Sequence, residues 1–198
     1  MGTPIIVDEY RLVLASASPR RRELLQQCGC PFMVRAASID ERVHGGEAAR
    51  DYVQRVAEAK ALTVQRSLPD HWVLGADTAV VLDDRILGKP GSEQEARTML
   101  HGLSDRMHQV FSAVVLIGPG GRRLGRVSVT EVEFGALPQT WIDRYAKSGD
   151  GRDKAGAYGI QNEAGLWIRH ISGSYSGVVG LPLYETAELL REAGLINA

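Results

Sequence analysis

A chain of 198 residues is long enough to bury a substantial core and suits one domain or two closely joined lobes. Charged residues make up 24% of it and nearly cancel, for a formal net charge of -1. That balance gives no basic footprint for nucleic acid and no reason to expect a membrane surface as partner. No apolar run approaches the roughly 20 residues that span a bilayer. The opening MGTPIIVDEYR lacks the basic-then-apolar pattern of a secretory signal, and Ile6 stands where a myristoylation signal needs Ser or Thr. The two cysteines, Cys28 and Cys30, are too close to staple a domain, so the expected location is a reducing cytoplasm.

Strand-like and helical stretches alternate, which predicts an α/β or α+β class rather than an all-helical one. Leu12 to Ala15 reads as a short buried strand. Ser18 is a predicted N-cap with Pro19 at the first helical position, opening a helix that ends near Gly29. A second short strand is expected at Phe32 to Ala36. Ala48 to Arg66 carries Val53, Val56, Ala57, Ala61 and Val64 at helical spacing. Trp72 to Leu82 reads as a strand, followed by a turn at Asp83-Asp84 and by Arg85-Ile86-Leu87. Ser92-Glu93-Gln94-Glu95 is a capping box for a helix to about Leu103. His108 to Ile117 and Leu124 to Phe134 flank Gly118-Pro119-Gly120-Gly121, a predicted hairpin. A helix from Pro138 to Ala146, a strand at Leu166 to Ile171 and a last helix from Leu183 to Ala193 complete the reading.

Three features suggest chemistry. In LASASPRRREL, a strand, a small-residue loop and a helix start bring free N–H groups to one point, and Arg20 and Arg21 would add guanidinium groups matched to phosphate. Three arginines in a first turn oppose the helix dipole, a local conflict expected where function overrides it. Next, Gly75-Ala76-Asp77-Thr78 sets a carboxylate within an apolar strand. Burying it is costly unless it is paired or metal-bound, so Asp77 is expected at a strand end or break facing a cleft. A turn aspartate bonded to its own backbone is the competing reading. Finally, Lys60, Lys89 and Lys154 each read singly as solvated lysines, yet with Arg20 and Arg21 they could enclose a triphosphate.

Glu41, in Ser38-Ile39-Asp40-Glu41, could share a metal with Asp77, an ordinary turn being equally open; such hard oxygen ligands select Mg²⁺ or Mn²⁺ over zinc. His44, His71 and His108 form no ligand spacing. Gln161 could donate to and accept from a base edge, or be a loop glutamine in water.

LASASPRRREL, YVQRVAEAKA, VLGADTAVVLDDRILGKP, DKAGAYGIQ and GSYSGVVGLPL, in this order and over nearly the whole chain, resemble the Maf (septum-formation) nucleotide pyrophosphatases. The resemblance implies one Maf-like domain over 1–198, with 10–198 as its core. It implies an α/β fold with an elongated mixed sheet flanked by helices, two lobes and a central cleft, as in the Maf and inosine-triphosphatase folds. It further implies hydrolysis between the α- and β-phosphates with a divalent metal. Asp77 matches the family's catalytic proton acceptor. Ser16, Arg20, Arg21, Glu41, Lys60 and Lys89 match polar active-site positions; Arg20, Thr78 and Gln161 match positions tied to substrate choice. The DKAGAYGIQ form resembles the branch acting on dTTP and UTP, sometimes with modified pyrimidine nucleotides.

The expected set is therefore Asp77, Glu41, Lys60 and Lys89 for catalysis. Asp77 and Glu41 would also hold the metal, and Ser16, Arg20, Arg21, Thr78, Lys154 and Gln161 would bind a nucleoside triphosphate. Asn162 stands where the pattern usually has Gly; Asn tolerates a left-handed backbone better than most residues, so the loop can be kept, and the departure bears on base preference. Competing readings are an inosine/xanthosine triphosphate or 7-methyl-GTP pyrophosphatase and a non-catalytic nucleotide-binding regulator of septum formation. A homodimer stays open.

Overall fold

The computed structural model describes residues 10–197, so the readings of a signal or lipid site at positions 1–9 lie outside the described residues. The elements follow as β1 (Leu12–Leu14), α1 (Pro19–Gln26), β2 (Phe32–Val34), α2 (Ala49–Gln65), β3 (Trp72–Leu82), β4 (Arg85–Leu87) and α3 (Glu93–Leu103). Then come β5 (Met107–Ile117), β6 (Arg123–Phe134), α4 (Gln139–Ser148), β7 (Ile168–Ser172), α5 (Tyr175–Val179) and α6 (Leu183–Glu192). They form a mixed seven-stranded sheet in the order β2-β1-β3-β5-β6-β7, with β4 also paired to β3. The first three strands of that order run parallel; the later pairings are antiparallel.

Alternation along β3 sends its side chains to two separate cores. Val73 and Ala79 pack under α2 with Val53, Ala57, Ala61 and Val64. Leu74, Ala76 and Val80 face the opposite side, beside Leu24 of α1, Leu100 of α3, Ile142 of α4 and Leu189 of α6. The helical spacing seen in α2 is thus its buried stripe, and helices cover both faces of the sheet.

β3 is the spine. One edge pairs with β5 from Val73 to Val81 without interruption. The other edge is split: Trp72 to Leu74 pair with β1, and Val80 to Leu82 pair with β4. Residues 75–79 lie between the two partners. The β3–β4 turn holds Asp83 at φ 49° and Asp84 at φ 60°, the two positive values that a tight hairpin turn requires. Asp77 therefore does not end its strand, as the composition suggested. The strand runs on through it, and the break is in its neighbour.

Some boundaries differ from expectation. α1 stops at Gln26 and Gly29 takes φ 73°, so the chain turns before the predicted end. β2 ends at Val34. The residues before Ile168 form a 3₁₀ turn, Glu163–Trp167, rather than the start of β7. α5 was not predicted; Ser174 caps it by accepting from the Gly177 N–H at 3.0 Å. In the box at α3, Ser92 accepts from the Glu95 N–H at 3.1 Å, but the Glu95 carboxylate takes the N–H of Gly91 rather than that of Ser92.

Gly75 sets how close α2 comes to the sheet. A Cβ there would lie 2.0 Å from the Ala57 carbonyl oxygen and 2.9 Å from the Ala61 nitrogen. Both are backbone atoms of the helix, so no side chain can move aside. Gly75→Ala is expected to push α2 off β3 and to destabilise the protein by about 1–3 kcal/mol, the usual range for overpacking, as read by urea unfolding.

His108 is buried on β5, with Nε2 2.7 Å from the Tyr158 hydroxyl and its ring stacked on Phe134. Burial lowers its pKa from 6.5 to about 4. Below pH 6.5 the unfolded chain therefore binds a proton that the folded chain refuses. The stabilisation is complete above 6.5 and is lost as the pH falls to about 4. Over that interval stability should fall by about 3 kcal/mol. His108→Gln, which keeps a partner for Tyr158, should remove this part of the slope in urea titrations at stepped pH.

Candidate active site

The close approach at Gly75 places α2 so that Lys60, one turn beyond Ala57, meets the next side chain on the same face of β3, Asp77. Lys60 Nζ donates to Asp77 Oδ1 at 2.8 Å, and both residues are 6% exposed. The same ammonium lies 2.8 Å from Glu41 Oε1, while Glu41 Oε2 is 3.7 Å from Lys89 Nζ. One buried cation thus bridges two carboxylates from different parts of the chain. Glu41 sits on the loop before α2. Tyr52 and Arg55 of α2 tie that loop down: the Tyr52 hydroxyl donates to the Glu41 carbonyl at 3.0 Å, and Arg55 donates to the Arg42 carbonyl and pairs with Glu47.

The two carboxyls are pushed in opposite directions. Burial raises Asp77 above the ordinary carboxylate range and outweighs the pull of Lys60 and Arg21. Burial also acts to raise Glu41, but the hydrogen bond from Lys60 and the charges of Lys60, Lys89 and Arg21 outweigh it and hold Glu41 below its usual value.

The start of α1 supplies the next wall. Ser18 caps it, accepting from the Arg21 N–H at 3.5 Å. Arg21 turns inward: Nε donates to the Gly180 carbonyl at 2.9 Å and Nη1 to Ser16 Oγ at 3.3 Å. Arg20 reaches across to Asp153 at 3.2 Å, and Arg22 stays exposed. Two of the three arginines that oppose the dipole are thus engaged by acceptors from distant segments.

Thr78 points to the other face of β3, where its hydroxyl is 3.0 Å from Ser112 Oγ and 3.4 Å from the Gly180 carbonyl. Ser112 donates its own proton to the Gly177 carbonyl at 2.6 Å. Each hydroxyl has one proton, so the Thr78 proton serves either Ser112 Oγ or the Gly180 carbonyl.

These groups line a cleft of ≈ 520 Å³. Asp77, Glu41, Lys60, Lys89, Arg20, Arg21, Thr78, Lys154 and Gln161 all border it, which brings together residues from positions 20 to 161. Ser16 does not border it. It is buried, and its hydroxyl accepts from Arg21 Nη1 and from the Ser18 N–H, both residues of the cleft wall. Asn162, at φ -105°, ψ -159°, has an extended backbone and does not use the left-handed conformation that Asn tolerates. The left-handed residues of this loop are Gly156 at φ 68° and Ala157 at φ 62°. Arg42, Tyr52 and Asp153 border the cleft as well and were not singled out from sequence. Their sequence signals were adjacency to Glu41 and Lys154, and for Tyr52 a position two turns before Lys60.

The cleft's charged lining comprises six cations, Arg20, Arg21, Arg42, Lys60, Lys89 and Lys154, against three acids, Glu41, Asp77 and Asp153. The excess of positive charge is local, since the whole chain carries -1. A concave, cationic site with two converging carboxylates suits a polyanion that is itself a metal ligand. Among the described residues no three His, Cys, Asp or Glu side chains gather into a metal cage. Asp77 and Glu41 still fit Mg²⁺ or Mn²⁺. Both are hard oxygen donors sharing one ammonium, and Mg²⁺ is commonly held by one or two carboxylates with substrate phosphates completing its shell.

Known proteins agree with this architecture. The sequence profile of the Maf-like protein family matches residues 11–193. A dTTP/UTP pyrophosphatase of Alcanivorax borkumensis is 53% identical over 186 residues, covering 93% of this chain and 96% of that one. The protein of the same name in Colwellia psychrerythraea is 49% identical over 193 residues, covering 95% and 91%. Among solved structures, a HAM1 protein from Coxiella burnetii shares the fold with a TM-score of 0.52 at 20% identity, covering 92% of this chain and 99% of that one. The profile spans nearly the whole described chain, cleft included, and the chain belongs to the Maf-like protein family.

Proposed function

We propose that this protein is a nucleotide pyrophosphatase that hydrolyses dTTP and UTP to the nucleoside monophosphate and pyrophosphate. The observation that carries the reading is Asp77: a carboxylate buried in mid-strand, paired with Lys60, which also holds Glu41, at the floor of a cationic cleft. Pure binding of a polyanion has no need of buried carboxylates beside its phosphates, which argues against a regulator without turnover. The names of relatives about half identical over nearly their full length support the same reaction and base preference.

A nucleoside triphosphate brings about four negative charges, which must be held and offset as charge moves onto the leaving group. Arg20 and Arg21, at the start of α1, grip phosphate oxygens. Lys89, exposed at the rim, offsets charge on the leaving pyrophosphate, and Lys154 helps to hold the triphosphate. Asp77 accepts a proton from the attacking water as the water oxygen bonds to the α-phosphorus. The bond from that phosphorus to the bridging oxygen breaks, and pyrophosphate leaves. Lys60 holds Asp77 and Glu41 in one geometry. A divalent cation held by Asp77 and Glu41 would supply charge neutralisation at the phosphates. Gln161 and Thr78 read the base.

The site of action is the cytoplasm. Cys28 and Cys30 are both free, and no helix among the described residues is long and apolar enough to cross a membrane. Likeness to the HAM1 protein concerns the fold and carries no base preference at 20% identity.

The test is pyrophosphate release from dTTP, UTP, CTP, dATP, GTP, ITP and 7-methyl-GTP, with Mg²⁺, with Mn²⁺ and with a chelator. Release chiefly from dTTP and UTP, abolished by the chelator, is expected. Release chiefly from ITP or 7-methyl-GTP would keep the reaction and overturn the base preference; none from any nucleotide would reject the enzyme.

Asp77→Asn should lower kcat about 10²- to 10⁴-fold, the range for losing a general base, while circular dichroism and Tm report an intact fold. A folded Asp77→Asn variant with normal turnover would remove Asp77 from the chemistry.

A further inference from the structure

The loop carrying Lys154 and Gln161 has little regular structure, only the single turns at Ala155–Ala157 and Glu163–Trp167. Much of its shape comes from one carboxylate that does not itself border the cleft. Asp150 comes just after α4, where Gly149 reverses the chain at φ 77°. Its Oδ2 accepts from the Tyr145 hydroxyl at 2.5 Å, and its Oδ1 accepts from Asn162 Nδ2 at 2.6 Å. The Tyr145 hydroxyl in turn accepts from the Gly159 N–H at 3.2 Å. The backbone carbonyl of Asp150 accepts from the Lys154 ammonium, which is also 2.9 Å from Asp153 Oδ1.

The bonds therefore reach both ends of the segment. Lys154 is fixed at its entry; Gly159 and Asn162 are fixed on either side of Gln161. A further backbone bond, from the Asn162 N–H to the Gly159 carbonyl at 3.2 Å, closes the turn around Gln161. An ionised carboxylate only accepts, so Tyr145 and Asn162 must both be donors, and the direction of each bond is set. Tyr145 is 2% exposed, so its proton has little water as an alternative to Asp150. A glycine at position 162 would lack the side-chain half of this arrangement.

We infer that Asp150 and Asn162 form a clamp that positions Gln161 and Lys154 in the cleft and so sets which base the site accepts. Both are positioning residues: they act through Gln161 and Lys154. The inference rests on the proposed pyrimidine nucleotide reading and deepens it.

The polarity of the clamp gives its test. Asn162→Asp sets two carboxylates face to face and breaks it. Adding Asp150→Asn restores both bonds with donor and acceptor exchanged: the new amide oxygen takes the Tyr145 proton, and its NH₂ donates to the new carboxylate. KM, kcat and the UTP-over-CTP ratio of kcat/KM are measured for the wild type, N162D, N162G and D150N/N162D, with Tm for each. N162D should raise KM for UTP about tenfold and cut the UTP-over-CTP ratio by a similar factor, with kcat within about threefold. The double exchange should bring both back to within about threefold of wild type, the mark of a direct pair. If N162D does not fold, N162G carries the test, with an expected loss of selectivity of about threefold to tenfold.

A merely structural clamp would lower Tm and leave the ratio alone. An unchanged ratio in N162G and N162D, or a loss in N162D that the second exchange does not repair, overturns the inference while the proposed activity stands. A wild type that releases no pyrophosphate from UTP or dTTP overturns the proposed activity, and this inference with it.

Discussion

The ammonium of Lys60, buried between Asp77 and Glu41, is the interaction on which the site depends. A lone carboxylate in the middle of an apolar sheet would pay a desolvation cost of several kcal/mol, and the raised pKa of Asp77 shows that burial still dominates there. The cation makes the arrangement tolerable, and removing one partner of such a group typically costs about 3–5 kcal/mol. The pair in turn depends on a backbone detail. Lys60 reaches Asp77 because α2 lies almost on the surface of β3, which the missing side chain of Gly75 permits. The geometry of the Lys60–Asp77 pair and core packing are therefore set by the same contact.

The split edge of β3 explains why a polar site can exist within the sheet at all. β5 satisfies one side of the strand along its whole length, which keeps residues 75–79 extended. On the other side β1 stops and β4 has not begun. The gap exposes Asp77 and Thr78 to the cleft without loosening the strand that carries them. The two residues point to opposite faces, Asp77 toward α2 and Thr78 toward Ser112 and the Gly180 carbonyl. Consecutive positions can thus serve different parts of one ligand, because period-two geometry separates them.

Much of this was legible in the sequence where local rules act alone. Trp72–Leu82 and Glu93–Leu103 follow from patterning and from the Ser92 cap, and Asp83-Asp84 from turn chemistry. Asp77 stood out because a carboxylate contradicts its apolar surroundings. What sequence could not supply was partnership over distance. Lys60 on its helix, Glu41 in its loop and Lys89 after its strand each look like ordinary surface charges, and only the approach of α2 to β3 joins them. Ser16 matched an active-site position; the structure adds that its buried hydroxyl accepts from Arg21 and from the Ser18 N–H. At Asn162 the expectation rested on backbone tolerance. The backbone there is extended, and the asparagine serves through its side chain, bonded to a carboxylate twelve residues earlier.

The pairing pattern of the cleft bears on how it would receive a polyanion. Five of its six cations already have acidic partners: Arg20 with Asp153, Arg42 with Asp40, Lys60 with Asp77 and Glu41, Lys89 with Glu41, and Lys154 with Asp153 and Asp150. These pairs differ in burial, and so in how readily they exchange. Lys60 and Asp77 are nearly inaccessible, and a low local dielectric strengthens their attraction, so they stay together as a fixed floor. Lys89 has a side chain 60% exposed, and its 3.7 Å contact with Glu41 is screened by water, so its charge can pass to phosphate at little cost. The Arg20–Asp153 pair, with 28% and 64% of its side chains exposed, lies between these extremes. A gradient from a rigid buried pair to labile rim pairs lets the cleft hold its carboxylates in place before substrate arrives. Positive charge for an incoming polyanion is then available at the mouth, where Lys89 and Arg42 are exposed.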